Sequence, residues 1–230
     1  MQLAGFGPRD KDNLLIYFPS NTCKVPPQVP QINSTPPTLI HKLSSITERI
    51  DLKTLFPEEH PLEVELGSGD GSLLVDLAKL KPTHNFVGVE RLLGRMRKLD
   101  RKAHRAGLTN VRGVRIESSY FLEYLLPLHS AVAIHVYFPD PWPKRKHRRH
   151  RLINERFPVL AHQALAPQGK IYLRTDHQDY FQQITTAFAS SPLFHPMETP
   201  PDLSGVLTDF EKDFLGRGII TLRAAYESSS

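Results

Sequence analysis

"VELGSGDGS", residues 64–72, is an apolar-alternating run that ends in three closely spaced glycines, and a helical pattern begins near Ser72. Glycine tolerates positive φ angles and lets a ligand approach the backbone, so this strand–turn–helix pattern predicts a nucleotide site. The dinucleotide fingerprint requires a third glycine at position 72, where this sequence has serine. Asp70 also lies in the turn, and a carboxylate there repels phosphate. The turn therefore favours a nucleoside ligand without phosphates.

Apolar runs alternate with helical patterns downstream of residue 46. Five runs predict strands, at residues 62–67, 85–90, 111–117, 131–138 and 169–175. The clearest helical pattern repeats an apolar residue every three or four positions between Leu92 and Ala106. Strands that alternate with helices predict an α/β fold with a parallel sheet covered on both faces. The runs at 193–197 and 218–226 have no predicted helix after them, and we expect them to form an antiparallel hairpin at the sheet edge.

Composition and charge restrict the classes of protein to which this chain can belong. Of the 230 residues, 40% are apolar and 23% charged, as in soluble globular proteins. The formal charge of +5 favours a polyanionic partner. Cys23 is the one cysteine, which excludes an internal disulfide and zinc sites built on paired cysteines. We expect a cytoplasmic protein without a signal peptide or membrane-spanning segment.

Two regions are predicted along the chain. Seven prolines between Pro8 and Pro37, mixed with small polar residues, disfavour both helix and continuous sheet. We assign residues 1–45 to a Pro-rich amino-terminal arm or irregular lobe, and residues 46–230 to one folded domain.

Carboxylates recur where the first three predicted strands end. Glu65 precedes the glycine turn, Glu90 ends the second strand and Glu117 ends the third. At such positions a carboxylate can accept hydrogen bonds from an ammonium group, from both hydroxyls of a ribose, or from the amine of adenine. A solvated strand end explains any one of them alone. The set of three predicts a cationic amino-acid nucleoside as ligand, and S-adenosylmethionine is that molecule.

The fourth strand runs into "FPDPWPKRKHRRHR", residues 138–151. Ligands of an open parallel sheet bind outside the carboxyl ends of its strands, so Asp140 should face the same crevice as Glu65. Pro139 and Pro141 restrict the backbone on either side of Asp140, beyond what a simple turn needs. Trp142 could stack on a base or could plug the core beneath the turn.

Six cations follow the acidic turn. They are Lys144, Arg145, Lys146, Arg148, Arg149 and Arg151. They could be the solvated start of the helix that continues towards residue 165. Positive charge at a helix start opposes the macrodipole, however, and this basic run opens on the crevice, so we predict that it binds nucleic acid. His147 and His150 lie within it, but six neighbouring cations would repel a divalent metal ion, and we expect no metal. The cations between residues 91 and 107 are interpreted as a solvated helix face.

Several of these segments together resemble the tRNA (guanine-N7-)-methyltransferase family. They are "VELGSGDG", "GVE", "FPDPWPKRKHRRHR", "RTD" and "TDFEKDFLGRGIITLRAAY", in the order of that family from about residue 62 to 226. The Asp-Pro-Trp turn with its basic run is the specific signal, because the glycine turn is shared by very many methyltransferases. The resemblance implies a Rossmann-like class I S-adenosylmethionine-dependent methyltransferase fold, with a guanine of the tRNA variable loop, position 46 in tRNA numbering, as methyl acceptor.

The resemblance also implies residue roles. The methyl donor would be bound by Glu65, Gly67, Gly69, Glu90, Glu117 and Asp140, with Asp140 also catalytic. Substrate would be contacted by Lys144, Asp176, Thr208, Asp209, Phe210 and Glu211. The tRNA backbone would be contacted by Arg145, Lys146, Arg148, Arg149 and Arg151. Position 117 departs from the family pattern, which has aspartate or asparagine there.

The chemistry expected of such a site is simple. Guanine N7 carries a lone pair and no proton, so positioning should dominate the rate. A fixed carboxylate, assigned to Asp140, would stabilise the positive charge that appears on guanine. Asp176 or Glu211 could accept the N1 and N2 hydrogens that adenine lacks. The alternatives are a methyltransferase for another RNA base or ribose, a non-catalytic RNA-binding protein on the same fold and, disfavoured by Asp70 and Ser72, a dinucleotide-dependent oxidoreductase. We expect a monomer or homodimer.

Overall fold

An eight-stranded sheet organises residues 37–229, the part of the chain that the computed structural model describes. The strands are β1 (Ile40–His41), β2 (Leu62–Leu66), β3 (Asn85–Val89), β4 (Val111–Val114), β5 (Ala131–Tyr137), β6 (Leu165–Thr175), β7 (Phe194–Met197) and β8 (Leu222–Ser228). Their order across the sheet is β1-β4-β3-β2-β5-β6-β8-β7. β8 pairs antiparallel with both β6 and β7, and the other neighbours are parallel. The predicted α/β fold and its five parallel strands are confirmed.

Helices cover both faces of the sheet. They are α1 (Ser72–Leu80), α2 (Leu93–Arg105), α3 (Ser118–Tyr120), α4 (Phe157–Ala164), α5 (Gln178–Ala189), α6 (Pro201–Gly205) and α7 (Asp209–Arg217). A π-helical turn, Phe121–Leu125, continues α3, and 3₁₀ turns lie at Leu52–Thr54 and Arg145–His150. α1 and α2 pack on one face, where their apolar residues meet side chains such as Ala133 and Tyr172, and α4 and α5 pack on the other. No helix within residues 37–229 combines the length and apolar character that crossing a bilayer requires.

The sheet begins earlier than the predicted domain boundary. β1 pairs with β4, placing Ile40 opposite Gly113. Leu39 is buried, and its backbone N–H donates to the Asp100 carboxylate at 2.7 Å. Residues 39–41, which were predicted to lie in the amino-terminal arm, therefore belong to the folded domain. The rest of that assignment concerns residues 1–36, which lie outside the described residues.

The carboxyl-terminal strands are antiparallel as predicted, but they do not form a simple hairpin. α6 and α7 lie between β7 and β8 in the chain, and β8 pairs between β6 and β7, so β7 is the edge strand. Gly218, expected to begin the last strand, instead ends α7 with a left-handed φ of 66°. After α7 the chain returns to the sheet, and β8 starts at Leu222, between β6 and β7.

The strand order creates a crevice at the carboxyl edge of the sheet. From β2 the chain proceeds to β3 and β4 on one side, whereas β5 and β6 lie on the other side of β2. The loops that follow β2 and β5 therefore diverge, and such a reversal is where open α/β sheets bind ligands. After a register shift between Leu62 and Glu63, β2 pairs with β5 so that Glu65 lies opposite His135, and the ends of both strands open on this crevice.

Candidate active site

The glycine turn brings α1 against α2 and leaves backbone open to a ligand. Gly67, Gly69 and Gly71 have φ angles of 79°, 57° and 77°. A Cβ at Gly71 would lie 2.5 Å from the Leu99 side chain, whereas at Gly67 and Gly69 nothing lies within 4 Å. Glycine is thus required at residue 71 for helix packing, and at 67 and 69 it presents accessible backbone.

Asp70 has a structural role in this turn. Its carboxylate accepts hydrogen bonds from the backbone and hydroxyl of Ser72 and pairs with the Lys102 ammonium at 2.7 Å. Partial burial works to raise the pKa of Asp70, but Lys102 and Ser72 outweigh it and hold that pKa below its usual value. The carboxylate that was expected to repel phosphate is therefore balanced by Lys102 and joins α1 to α2.

Glu65 is a buried carboxyl group that faces a cavity of about 440 Å³, here called the first cavity. It is 4% exposed, and its Oε2 has no hydrogen-bond partner among the described residues. Burial raises the pKa of Glu65 to about 8; the positive charge of Arg174 opposes this rise and Asp70 adds to it. A buried oxygen without a donor is costly, and a cationic ligand would remove that cost. The first cavity is also lined by Gly67, Gly69, Thr208, Asp209 and Phe210.

A second cavity of about 430 Å³ lies on the other side of the β2 end. It brings together four of the predicted donor-binding residues, Gly67, Glu90, Glu117 and Asp140. Glu90 is buried, and its Oε1 accepts the backbone N–H of Leu92 at 2.7 Å, which leaves Oε2 near Arg95 at 3.8 Å. The two cavities share Gly67, Arg95, Tyr137 and Phe138, so one elongated ligand could occupy both.

The Glu117 side chain binds the backbone of the residues that directly follow it. Its carboxylate oxygens accept the backbone N–H groups of Ser119 at 3.0 Å and Tyr120 at 2.8 Å, which caps the start of α3. The longer side chain at this position thus serves as a helix cap at the rim of the second cavity. Its contact with an adenine stays a prediction.

The acidic turn is bracketed by two residues in the left-handed region. Phe138 has a φ of 51° and Trp142 a φ of 41°. Asp140 is exposed between them and lines the second cavity. Trp142 is 37% exposed and lies beside His150 and His147, with ring centroids 5.3 and 5.9 Å away. The alternative that Trp142 plugs the core is therefore wrong, and its ring borders the cavity.

The basic run divides into exposed and paired residues. The 3₁₀ turn Arg145–His150 is separate from α4, so the run is not the start of that helix. Lys144, Arg145, Lys146 and Arg149 are exposed, as an RNA contact requires. Arg148 pairs with Asp179 at 2.8 Å. Arg151 is 2% exposed, and its assignment to the tRNA backbone is wrong because no phosphate can reach a side chain enclosed in this way.

The predicted substrate segment at residues 208–211 is mostly structural. Thr208 and Glu211 form a capping box at the start of α7, and both are buried. Glu211 also pairs with Arg174 and with Arg223, each at 2.7 Å. The carboxylate is therefore saturated, and the prediction that Glu211 accepts hydrogen bonds from guanine is contradicted in this structure.

The neighbouring residues of that segment remain available to a ligand. An Asp209 carboxylate oxygen lies 2.8 Å from the Ser72 hydroxyl, whose single hydrogen is donated either to Asp209 or to Asp70, and this contact ties α7 to the glycine turn. Phe210 is 58% exposed beside Phe138. Lys144 and Asp176 are exposed and are absent from the linings of both cavities.

A row of buried polar side chains beneath the site was not predicted from the sequence. The Glu63 carboxylate pairs with Lys81 and accepts from His135 Nε2, each at 2.8 Å, and Tyr137 Oη lies 2.8 Å from His135 Nδ1. Burial works to raise the pKa of Glu63, but His135 and Lys81 lower it to about 2. The guanidinium of Arg174 lies 4.5 Å from the Tyr137 ring centroid. The signal in the sequence is alternation: Glu63 with Glu65, and His135 with Tyr137, each two residues apart.

Comparisons with known proteins agree with this geometry. Residues 59–218 match a family model described as "Putative methyltransferase". The tRNA (guanine-N(7)-)-methyltransferase of Syntrophotalea carbinolica is 32% identical over 76% of this chain and 77% of that protein. The enzymes of the same name from Chromohalobacter salexigens and Rubrobacter xylanophilus are 33% and 35% identical, over 77% and 71% of this chain and 76% and 75% of their own lengths.

Solved structures support the same fold. The 16S rRNA methyltransferase KamB superimposes with a TM-score of 0.56 at 17% identity, over 80% of this chain and 95% of that chain. Precorrin-6y C5,15-methyltransferase from Geobacter metallireducens gives a TM-score of 0.50 at 12% identity, over 78% of this chain and 84% of that one. These likenesses confirm the Rossmann-like methyltransferase fold. The family model over residues 59–218 and the curated relatives, 32–35% identical over 71–77% of the chain, show that this chain belongs to the tRNA (guanine-N(7)-)-methyltransferase family.

Proposed function

We propose that this protein transfers the methyl group of S-adenosylmethionine to N7 of a guanine in tRNA, the guanine at position 46 of the variable loop. The observation that carries the proposal is the pair of buried carboxylates, Glu65 and Glu90, at the ends of adjacent strands on either side of Gly67. The names of the curated relatives supply the acceptor atom and the RNA. A cytoplasmic location and a monomer or homodimer form part of the proposal.

The fit of the methyl donor can be judged from Glu65, whose buried Oε2 has no hydrogen-bond partner among the described residues. A buried oxygen without a donor calls for a partner, and an amino-acid ammonium would supply both the missing donor and the charge. Glu90, whose Oε2 faces the second cavity region near Arg95, would accept from the ribose hydroxyls. Tyr137 and Phe138 border both cavities and would flank the middle of the ligand.

The reaction requires the protein mainly to position the two substrates and to stabilise the charge that appears on guanine. When bound, S-adenosylmethionine supplies an electrophilic methyl group on a sulfonium. Asp140 would lie near the guanine ring. It would stabilise the positive charge that this ring gains as N7 bonds to the methyl carbon and the bond from that carbon to sulfur breaks. No proton has to be removed from N7, so Asp140 acts as a fixed counter-charge.

The exposed cations beyond the acidic turn would hold the RNA. Lys144, Arg145, Lys146 and Arg149 extend from the same edge as Asp140. Phosphate contacts supply affinity without fixing the base, so base selection has to come from residues nearer the crevice. Asp176 directly follows β6 at the carboxyl edge of the sheet, although it lies outside the linings of both cavities. It is the exposed candidate, since a carboxylate can accept both N1 and N2 hydrogens of guanine.

The test is a methylation assay with a defined product. The purified protein is incubated with labelled S-adenosylmethionine and unmodified tRNA, and the product is cleaved at 7-methylguanosine by chemical scission. We expect one cut, in the variable loop. A methylated nucleoside other than 7-methylguanosine would replace the proposal with methylation of another base or of ribose. Binding of tRNA without any methyl transfer would leave the non-catalytic RNA-binding alternative.

A further inference from the structure

One cation of the basic run faces the protein interior. The run carries six cations, all within the described residues, and Arg151 alone is buried. The exposed Arg149, two residues earlier, shares its chemistry and differs in environment. A guanidinium is buried only when its charge and its donors are satisfied, so the partners of Arg151 indicate what it does.

Each part of the Arg151 guanidinium has a partner. Nε donates to the carbonyl of Pro141 at 2.7 Å, Nη1 donates to the side-chain oxygen of Gln183 at 2.8 Å, and Nη2 pairs with Asp179 at 2.7 Å. Its flat face lies 4.7 Å from the Tyr180 ring centroid. Asp179, Tyr180 and Gln183 all belong to α5, so Arg151 fastens the Pro141 carbonyl to that helix.

The carbonyl that Arg151 binds lies in the acidic turn, next to a residue of unusual backbone conformation. Pro141 follows Asp140 directly, and its carbonyl shares a peptide unit with the N–H of Trp142, whose φ of 41° is unusual for a residue other than glycine. Such a conformation persists only where the surroundings impose it. The hydrogen bond from Arg151 is a constraint of that kind at this end of the turn.

The other end of the turn is held independently. The backbone N–H of Phe138, whose φ is 51°, donates to the carbonyl of Arg174 in β6 at 2.8 Å. Asp140 therefore lies between two fixed points, one on β6 and one reaching α5 through Arg151. Residue 140 itself is exposed, so the position of its carboxylate depends on the backbone that carries it.

We propose that Arg151 is a positioning residue, which fixes the carboxylate of Asp140 by tying the Pro141 carbonyl to α5, and that it does not contact RNA. The kinetic part rests on the proposed function, because it assumes that Asp140 acts on the methyl transfer. A displacement of about 1 Å at such a group can lower a rate about 100-fold. Loss of this tie should therefore reduce kcat and leave tRNA binding intact.

Arg151→Lys and Arg149→Ala make a matched pair. Lysine keeps the charge but cannot reach Pro141, Gln183 and Asp179 at once. For Arg151→Lys we expect kcat to fall about 10- to 100-fold, with the KM for tRNA and its salt dependence as in the wild type. For Arg149→Ala we expect the opposite pattern, a raised KM for tRNA with a smaller salt dependence and a retained kcat. An Arg151→Lys variant that shows the Arg149→Ala pattern, or a wild-type kcat, would overturn the proposal.

Trp142 is the single tryptophan of the chain and reports on the turn without any assay of methylation. In Arg151→Lys we expect Trp142 fluorescence to be quenched more readily by acrylamide and to lose anisotropy, and in Arg149→Ala we expect neither change. Unchanged Trp142 signals in Arg151→Lys would refute the positioning role even if the wild type proved inactive on tRNA. Wild-type inactivity with altered Trp142 signals would instead refute the proposed function alone. Should Arg151→Lys fail to fold, Gln183→Ala removes one anchor, and the same changes are expected in smaller measure.

Discussion

Glu65 links the charge state of the site to folding. Its pKa is about 8 in the folded protein, against an ordinary value of 4.5, because burial disfavours the charged form. Between these values the unfolded chain has released the proton that the folded protein retains. The free energy of unfolding should therefore fall as pH rises from about 5 to 8, by at most about 1.4 kcal/mol per pH unit from this group. Urea unfolding of wild type and Glu65→Gln across this range measures the difference.

The matched variant removes the titrating group and keeps its shape. Glu65→Gln should be the more stable protein at pH 8, and the gap should close towards pH 5. S-adenosylmethionine should reverse the order, because the wild-type carboxylate then has a cationic partner. Parallel pH profiles for the two proteins would show that Glu65 is already ionised when the site is empty.

Asp140 should act on the rate and not on RNA affinity. Asp140→Asn keeps the size of the side chain and the turn while it removes the charge, so we expect kcat to fall about 100- to 1,000-fold and tRNA affinity to be retained. Asp140→Ala should give the same result. Single-turnover kinetics and filter binding at one salt concentration separate the two quantities. Equal losses of rate and affinity would place Asp140 in binding.

The element that fixes the site is the junction of β2 and α1. Ala at Gly67 or Gly71 meets the same unfavourable φ, about 77–79°, which costs about 1–2 kcal/mol. Only at Gly71 does the added Cβ also meet Leu99, at 2.5 Å from its side chain and 3.0 Å from its backbone. We expect Gly71→Ala to lose about 1–3 kcal/mol more than Gly67→Ala. Thermal unfolding without ligand checks this, and equal losses would mean that α2 moves aside freely.

α7 is held by one buried carboxylate. Glu211→Gln would leave Arg174 with an uncompensated charge in a buried environment, and we expect a loss of about 3 kcal/mol. Asp213→Asn, which breaks an exposed pair with Arg217 on the same helix, should cost less than about 1 kcal/mol. Hydrogen exchange should show the loss of protection in Glu211→Gln concentrated in residues 201–217. Uniform loss across the sheet would contradict a local fastening role.

At the scale of the whole molecule, the site residues that the sequence predicts are those whose position depends on where a strand ends. Glu65, Glu90 and Asp140 could be placed together in advance because the carboxyl ends of parallel strands share one edge. The burial of Arg151 and Glu211 could not, since it depends on partners such as Asp179 and Arg174 that are 28 and 37 residues away. The position of β8 inside the sheet likewise depends on the path that the chain takes through α6 and α7 after β7. A charged side chain in a basic run looks the same in the sequence whether it meets solvent or a carboxylate.

The distribution of charge over the whole molecule leads to the last prediction. Arg145, Lys146 and Arg149 lie exposed beside the acidic turn, whereas the exposed arginines of α2 lie on another helix and were interpreted as a solvated face. Each phosphate contact contributes about 0.7–0.9 to the slope of log K against log salt. Replacing the three cations by alanine should therefore lower that slope by about 2 and weaken tRNA binding at low salt.

The matched control removes the same number of charges from α2. Arg97, Arg101 and Arg105 are exposed, and their replacement by alanine changes the net charge equally. If net charge alone attracted tRNA, both triple variants would bind equally weakly. A local RNA surface predicts instead that only the variant beside the acidic turn loses phosphate contacts, because exposed charges are screened beyond about 8 Å at physiological salt. Equal slopes for the two variants would remove the basic run from the RNA interface.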